Sequence, residues 1–328
     1  MFDSMRRKKG TLVLFLCVVL SFGTLQGAAL AQEKYPVKSI QIYVGFSPGG
    51  TFDLCARMLS SIAEEYMEGS MVVVNKPGAG GTIAVAEVAK AKPDGYTLYH
   101  TGVTTMLVAG LTTDVPYSVV DDFVPIIGHT KGEYGLCVRG DAPWNTFEEF
   151  VQYARENPGV VTVASAGVRN PGHLLTEYLA AVEGIKIQMV PFLGGAPATA
   201  ALLGGHITAF AAAGTHPPLV EAGKFKLLLQ YGSERLKAAP DTKTALELGY
   251  GVSIDQEYMF LAPKGIPQPI LEKLEDAFTK AAESRSYVRF LGKIGLGSRY
   301  MNSSEAKEFM VREYNGWKKV LEKIGFEK

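Results

Sequence analysis

Ile40-Gln41-Ile42-Tyr43-Val44-Gly45-Phe46-Ser47-Pro48-Gly49-Gly50-Thr51-Phe52-Asp53 reads as an apolar strand, a Gly-rich turn and the opening of a helix. The unit recurs. Residues 71–74 run into Pro77-Gly78-Ala79-Gly80-Gly81-Thr82, residues 160–164 into Gly167 and Gly172, and residues 187–190 into Gly194-Gly195-Ala196-Pro197. Such a turn presents backbone N–H groups and the positive end of a helix dipole, so each is a candidate anion cradle. The spacings are unequal, which excludes a solenoid repeat.

Working outward, the pattern predicts helices over 54–65, 83–90, 146–157, 173–183, 198–203, 217–223 and 268–283. It predicts further strands over 96–100, 126–129, 135–139, 207–211, 227–231 and 258–262. Asn145 or Thr146 is placed to cap the helix at 146, and Ser303 or Ser304 an amphipathic tail over 303–324. Phe309, Val311, Tyr314, Trp317 and Leu321 lie near helical spacing on that tail and read as core. Alternating strands and helices give an α/β fold. A strand near 136 enters a second α/β block and one near 259 leaves it, so two lobes joined by a hinge are expected. Lobe 1 is read as residues 32–133 with 258–328, lobe 2 as 134–257, with a ligand cleft between them.

The N-terminus reads as an export signal over residues 1–31. Arg6, Arg7, Lys8 and Lys9 precede an apolar run over 11–22, and Ala29-Leu30-Ala31 is a small-x-small cleavage site. Bulky residues before Cys17 argue against a lipoprotein signal. The whole chain balances 33 basic against 33 acidic side chains, and the leader carries four basic and one acidic, so the mature chain has a net charge of −3. That lack of basic bias excludes a general nucleic-acid binder. Cys55 and Cys137 remain after cleavage. Export allows a disulfide, but both sit in segments suited to burial and read as two buried thiols.

No convincing catalytic set is visible. Gly45-Phe46-Ser47-Pro48-Gly49 matches a nucleophile elbow, but the residue after the serine must donate its N–H, and Pro48 has none. Gly78-Ala79-Gly80-Gly81-Thr82-Ile83 lacks the third glycine of a dinucleotide fingerprint. His100, His129, His173, His206 and His216 show no metal-ligand spacing. No cofactor or metal is expected. These features point to an exported binder of small anions rather than an enzyme.

Eight segments, in order, resemble the Bug-type solute receptors of tripartite tricarboxylate transporters. They are Gly45-Phe46-Ser47-Pro48-Gly49-Gly50-Thr51-Phe52-Asp53, Asn75-Lys76-Pro77-Gly78-Ala79-Gly80-Gly81, Asp94-Gly95-Tyr96-Thr97-Leu98, Asp122-Phe123-Val124-Pro125-Ile126, Ala164-Ser165-Ala166-Gly167, Val190-Pro191-Phe192 with Gly194-Gly195-Ala196-Pro197-Ala198, Leu202-Leu203-Gly204-Gly205 and Ala262-Pro263-Lys264-Gly265. The resemblance implies a two-lobed, type II-like periplasmic binding protein, monomeric, that captures a small carboxylate and hands it to a membrane permease. A di- or tricarboxylate is implied first, with an acidic amino acid or an aromatic acid as further options. A hydrolase or lyase using the same cleft is the alternative.

By residue, the resemblance carries ligand contact to Phe46, Gly50, Thr51 and Asp53 in lobe 1. In lobe 2 it carries it to Ser165, Ala166, Gly167, Gly195, Ala196 and Pro197. Gly49, Gly81, Arg169, Asn170 and His173 complete the candidate set. Asp53 reads as structural if the ligand is a simple diacid and as an ammonium partner if it is an amino acid. His173 reads as packing beside the ligand turn. The chain departs from the family where Val168-Arg169-Asn170-Pro171-Gly172 replaces a Gly-Ser-Ser/Thr stretch, losing hydroxyls and gaining a guanidinium that is either solvated or paired with an extra carboxylate. Ala201 and Thr208 stand where the family has acids, and Glu257 where it often has an aromatic.

Overall fold

The computed structural model describes residues 34–323, 325 and 326; the expected leader and its cleavage site lie outside them. The body that begins at Lys38 opens with β1 (Ile40–Val44), α1 (Thr51–Met67), β2 (Met71–Asn75), α2 (Thr82–Ala89), β3 (Thr97–Gly102), α3 (Val103–Thr112) and β4 (Phe123–Gly132). Its middle is β5 (Tyr134–Arg139), α4 (Phe147–Glu156), β6 (Thr162–Ser165), α5 (Pro171–Val182), β7 (Gln188–Pro191), α6 (Gly195–Leu203), β8 (Ala209–Ala213), α7 (Pro217–Glu221) and β9 (Phe225–Gln230). It closes with β10 (Gln256–Pro263), α8 (Gln268–Glu283), α9 (Arg285–Lys293), β11 (Gly297–Met301) and α10 (Ser303–Lys323).

The strands form two mixed sheets, β11-β4-β10-β3-β1-β2 and β7-β6-β8-β5-β9. Both contain the same motif. Three parallel strands (β2-β1-β3 and β7-β6-β8) are followed by one antiparallel strand, β10 or β5. Each antiparallel strand is the one that has just crossed from the other sheet: β5 follows β4 through Glu133, and β10 returns after residues 231–255. The inner strands are apolar on both faces, as parallel strands under helices must be: Ile42 and Val44 of β1 and every residue of β8 are buried.

The C-terminal helix departs from expectation. Phe309 and Met310 pack in the core of the six-stranded sheet, but Trp317 and Leu321 pack with Leu136, Val163 and Leu229 in the core of the five-stranded one. α10 is thus a third link between the sheets. Its cap is Asn302, not Ser303 or Ser304: Asn302 Oδ1 accepts from Glu305 N at 2.9 Å, and Glu305 Oε2 accepts from Asn302 N at 3.0 Å. Thr146 caps α4. Three elements have no counterpart in the sequence pattern. α3 is buried almost all round, so it has no amphipathic stripe; α9 is short, and β11 is an exposed edge strand without alternation.

Cys55 and Cys137 are free and fully buried. Glu257, on β10, is also fully buried, with Arg299 Nη1 at 2.8 Å from its carboxylate. Burial pushes its carboxyl up to about 8 against the pull of Arg299 and Lys131. Among the described residues no helix is long and apolar enough to cross a membrane.

Candidate functional site

In each sheet the parallel motif reverses direction beside its central strand, and the crevice outside the carboxyl ends of such strands is where α/β folds take ligands. The turn after β1, the start of α3 after β3, the turn after β6, the start of α6 and the end of β8 meet there. They enclose a cavity of about 350 Å³ including its mouth. Phe46, Ser47, Gly50, Thr51, Phe52, Asp53 and Thr105 line it from one side, and Tyr134, Ala166, Asn170, Gly195 and Ala213 from the other. No lysine, arginine or histidine is among them.

The first turn is held by charge. Gly49 adopts a left-handed φ of +82°, which only glycine takes without strain. Its N–H donates to Asp53 Oδ2 at 2.9 Å. Asp53 Oδ1 accepts from Arg57 Nε and Asn75 Nδ2, both at 2.9 Å, and Asn75 Nδ2 also donates to the Phe46 carbonyl. Burial raises the Asp53 carboxyl, but Arg57, the Gly49 N–H and Asn75 outweigh it and hold it below the usual range. Both carboxylate oxygens are committed to the turn. Gly50 has an ordinary φ of −76°, so its turn does not demand glycine; a Cβ there would sit 3.9 Å from Gly195 N, across the cavity.

Turns from the two sheets close on each other. Ser47 N and Oγ both donate to the Leu193 carbonyl, at 2.9 and 3.0 Å. A Cβ on Gly167 would lie 3.5 Å from Gly80 Cα, and one on Gly49 would lie 3.7 Å from Ala196 Cβ. A second crevice beside Phe46 runs between Gly78–Gly81 and Ala166–Leu193 and takes in Gly81 and Gly167.

The candidates therefore divide. Phe46, Gly50, Thr51, Asp53, Ala166, Asn170 and Gly195 line the cavity. Gly49, Ala196 and Pro197 belong to its turns without lining it. Arg169 turns away. It takes a left-handed φ of +54°, donates from Nη1 to the Thr112 carbonyl at 2.7 Å, and lies over the Phe326 ring. The guanidinium sits at the carboxyl end of α3, where cations are favoured, and does not line the cavity.

Asn170 Oδ1 caps α5 by accepting from His173 N at 2.8 Å. Its Nδ2 has no protein acceptor among the described residues, although the side chain is only 2 % exposed. The amide thus caps with one end and offers donors with the other.

Ser165, His173 and Glu177 form a chain that only folding reveals. Ser165 Oγ lies 3.0 Å from His173 Nδ1, and His173 Nε2 3.2 Å from Glu177 Oε1. This resembles a nucleophile with its base. Ser165 is fully buried, however, faces the Gly167 carbonyl at 3.0 Å and does not line the cavity. His173 is buried and does not line the cavity. His100 and His129 also pair on folding, Nε2 to Nε2 at 2.9 Å, with Tyr287 on His129 Nδ1. Burial drives both well down, His100 to about 3, so the pair is neutral. No cluster of three metal-ligating side chains occurs among the described residues.

Sequence reasoning missed Ser47, Phe52, Thr105, Tyr134 and Ala213, which line the cavity, and Gln256 and Tyr258, which stand behind it. Tyr258 Oη lies 2.8 Å from Thr51 Oγ1. Gln256 Nε2 donates to Thr105 Oγ1 at 2.6 Å. These contacts join residues more than a hundred positions apart, and nothing local marks them.

The profile of the family described as Tripartite tricarboxylate transporter family receptor matches residues 55–326. A Cupriavidus necator protein described as the UPF0065 protein in the gbd 5′ region is 34 % identical over 296 residues, which is 90 % of each chain. The structure of the periplasmic binding protein BugD superposes with a TM-score of 0.83 at 28 % identity, over 90 % of this chain and 100 % of that one. MatC from Rhodopseudomonas palustris with bound malate gives a TM-score of 0.80 at 27 % identity, over 88 % and 100 %. The fold is that of two-lobed periplasmic binding proteins. The chain belongs to the tripartite tricarboxylate transporter receptor family.

Proposed function

We propose that this protein is a periplasmic receptor that closes on a small di- or tricarboxylate and presents it to a permease of the tripartite tricarboxylate type. The observation that carries this reading is the cavity's chemistry. Glycine turns and helix starts from both sheets aim neutral donors into a space with no basic side chain. A carboxylate at each end of a ligand can engage one side each, and the contacts made only on closure shift the population toward the closed state. Lobe 1 is assigned residues 32–133 and 258–328 and lobe 2 residues 134–257, with α10 reaching across.

Because Asp53 is fully committed to Gly49, Arg57 and Asn75, it acts in the turn and not as an ammonium partner. That favours carboxylates without an amino group. The ligand-bound relative carrying malate supports the same class. The protein is read as a monomer exported with cleavage after Ala31, and as a binder that does not turn its ligand over, since the Ser165–His173 pair, the one Ser–His pair among the described residues, does not line the cavity.

A thermal-shift panel tests the reading. Binding restricted to the folded state adds about 2.7 kcal/mol at one hundred times Kd, which moves Tm by several degrees in a chain of this length. C4–C6 di- and tricarboxylates should raise Tm, and matched monocarboxylates and sugars should not, at equal ionic strength. If a sugar or cationic amino acid shifts Tm and no polycarboxylate does, the reading fails. Recovery of the acid unchanged after incubation checks the absence of turnover.

A further inference from the structure

One wall of the cavity has a hydrogen too many. Thr105 N–H can only donate, and it donates to Gln256 Oε1 at 3.2 Å. That fixes the amide, so Gln256 Nε2 is the donor 2.6 Å from Thr105 Oγ1 and 3.4 Å from Tyr134 Oη. The amide cannot relax away, because it is pressed onto Gly102, where a Cβ would lie 2.0 Å from Nε2. The Thr105 and Tyr134 hydroxyls are 3.0 Å apart, so one gives its hydrogen to the other. The second hydroxyl hydrogen has no acceptor among the described residues, and both oxygens belong to side chains that line the cavity. All three side chains are at most 3 % exposed. Burial pushes the Tyr134 phenol up to about 12 despite its contact with Thr105, so it stays a neutral donor. A buried donor without an acceptor is costly, and an acceptor entering the cavity removes that cost.

We propose that Gln256, Thr105 and Tyr134 form a donor relay that selects ligands by demanding a carboxylate oxygen at this wall. Thr105 and Tyr134 touch the oxygen; Gln256 is a positioning residue that orients the relay without reaching the ligand. Tyr134 opens β5 and Gln256 opens β10, the two strands that follow the crossings between the sheets. An oxygen bound here therefore bears on both connections at once. The inference rests on the carboxylate-receptor reading and adds to it which side chains read the ligand.

The test is calorimetric titration of succinate and of malate into the full mature chain and three variants between pH 5 and 8. Gln256→Glu keeps an acceptor for Thr105 N but also accepts the spare hydroxyl hydrogen and brings a negative charge. Its affinity should fall about 10- to 100-fold at pH 8 and recover toward the parent's as pH is lowered and the buried carboxyl takes up a proton. The parent should show no such rise. Tyr134→Phe should weaken binding about tenfold, and Thr105→Val, which removes the other hydroxyl, should weaken it at least as much, so that parent-like affinity in Thr105→Val also overturns the relay. Parent-like affinity in Gln256→Glu or Tyr134→Phe overturns the relay, as does a loss in Gln256→Glu that is equal at every pH. If Gln256→Glu does not fold, Tyr134→Phe and Thr105→Val decide. If the parent binds neither acid, nor any other carboxylate of the panel, the receptor reading falls and the relay with it.

Discussion

Helices that start at the cleft and helices that start elsewhere are built differently. α4, α9 and α10 begin away from it, and each has its own side-chain cap: Thr146, Ser284 and Asn302. α7 and α8 carry proline in the first turn, which removes an N–H that would need a partner. α1, α2, α3 and α6 begin at the cleft or the crevice beside it. Their N-caps are Gly50, Gly81, Gly102 and Gly194, and none has a side-chain cap. α5 stands between the two kinds, capped by Asn170 with an amide end to spare. The same four orphan N–H groups exist at every helix start that lacks such a proline. Distal starts are closed by a local side-chain cap or a proline, whereas the glycine starts at the cleft carry no cap of their own; at α3 one of the four, Thr105 N–H, is taken by Gln256 Oε1 from β10. The cleft starts thus do without the stabilisation that a side-chain cap gives.

The sharpest way to break this comparison is to give a cleft helix a cap. Gly50 is already extended (φ −76°, ψ 164°), the conformation of an N-cap, and a Cβ there meets nothing nearer than 3.7 Å. Gly50→Asp should cap α1 and place a carboxylate in the anion's seat. Carboxylate affinity should fall by about 100-fold or more, while Tm changes by no more than about 2 °C. Parent-like binding in this variant means the first turn is not the site.

Asp53 comes next, because it holds the uncapped turn together from below. Asp53→Ala orphans the Gly49 N–H, Asn75 and the half-exposed Arg57. We expect a loss of about 2–3 kcal/mol, read as a Tm lower by roughly 4–6 °C. The folded pKa lies below the unfolded one, so the carboxylate's contribution is complete above the unfolded value and is lost as pH falls through the folded one. The Tm gap between parent and variant should therefore shrink as pH is lowered from about 6 to about 3. A gap that is constant with pH would show that Asp53 acts by packing alone.

Asn170→Asp sharpens the comparison at the intermediate helix. The carboxylate still caps α5, and suits a helix N-terminus at least as well as the amide. It removes the two amide hydrogens that face the cavity. Affinity should drop about 10- to 30-fold with Tm unchanged or slightly higher. Loss of Tm together with affinity would mean that the amide matters only as a cap.

The division between the two kinds of start was partly readable in the sequence. Strand, Gly turn and helix lie within about a dozen residues, so the turns after β1, β2 and β7 could be found locally, while Phe46, Gly50, Thr51 and Gly195 are singled out within them by the family resemblance. The two-lobed frame followed from where α/β blocks begin and end. What local pattern could not carry was direction and distance. Arg169 follows the ligand turn in sequence, yet its left-handed backbone sends the guanidinium to Thr112. Tyr134 and Gln256 lie more than a hundred residues apart and meet because each opens a strand that follows a crossing between the sheets. α3, which brings Thr105 to the cavity, is buried almost all round and so lacks the amphipathic stripe by which a helix is recognised. His100 and His129 meet across β10, a strand more than a hundred residues later in the chain.

The smallest effect is expected at a distal cap, and it controls for the rest. Asn302 and Glu305 satisfy each other's backbone N–H at the start of α10. Asn302→Ala removes one acceptor and frees one N–H in partial contact with water, a loss of about 1 kcal/mol. In a chain of this size that lowers Tm by about 2 °C. α10 anchors Phe309 in one core and Trp317 in the other, so fraying of its first turn loosens the end nearer the six-stranded sheet while the far end stays packed. The cleft helices do not depend on this start, and carboxylate affinity should be the same as the parent's within about twofold. Thermal melts paired with calorimetry read both quantities on one preparation. If Asn302→Ala weakens binding as much as Asn170→Asp does, distal and cleft starts are not independent. Affinity would then follow the stability of the whole body, and free donors at the cleft would not be what sets it.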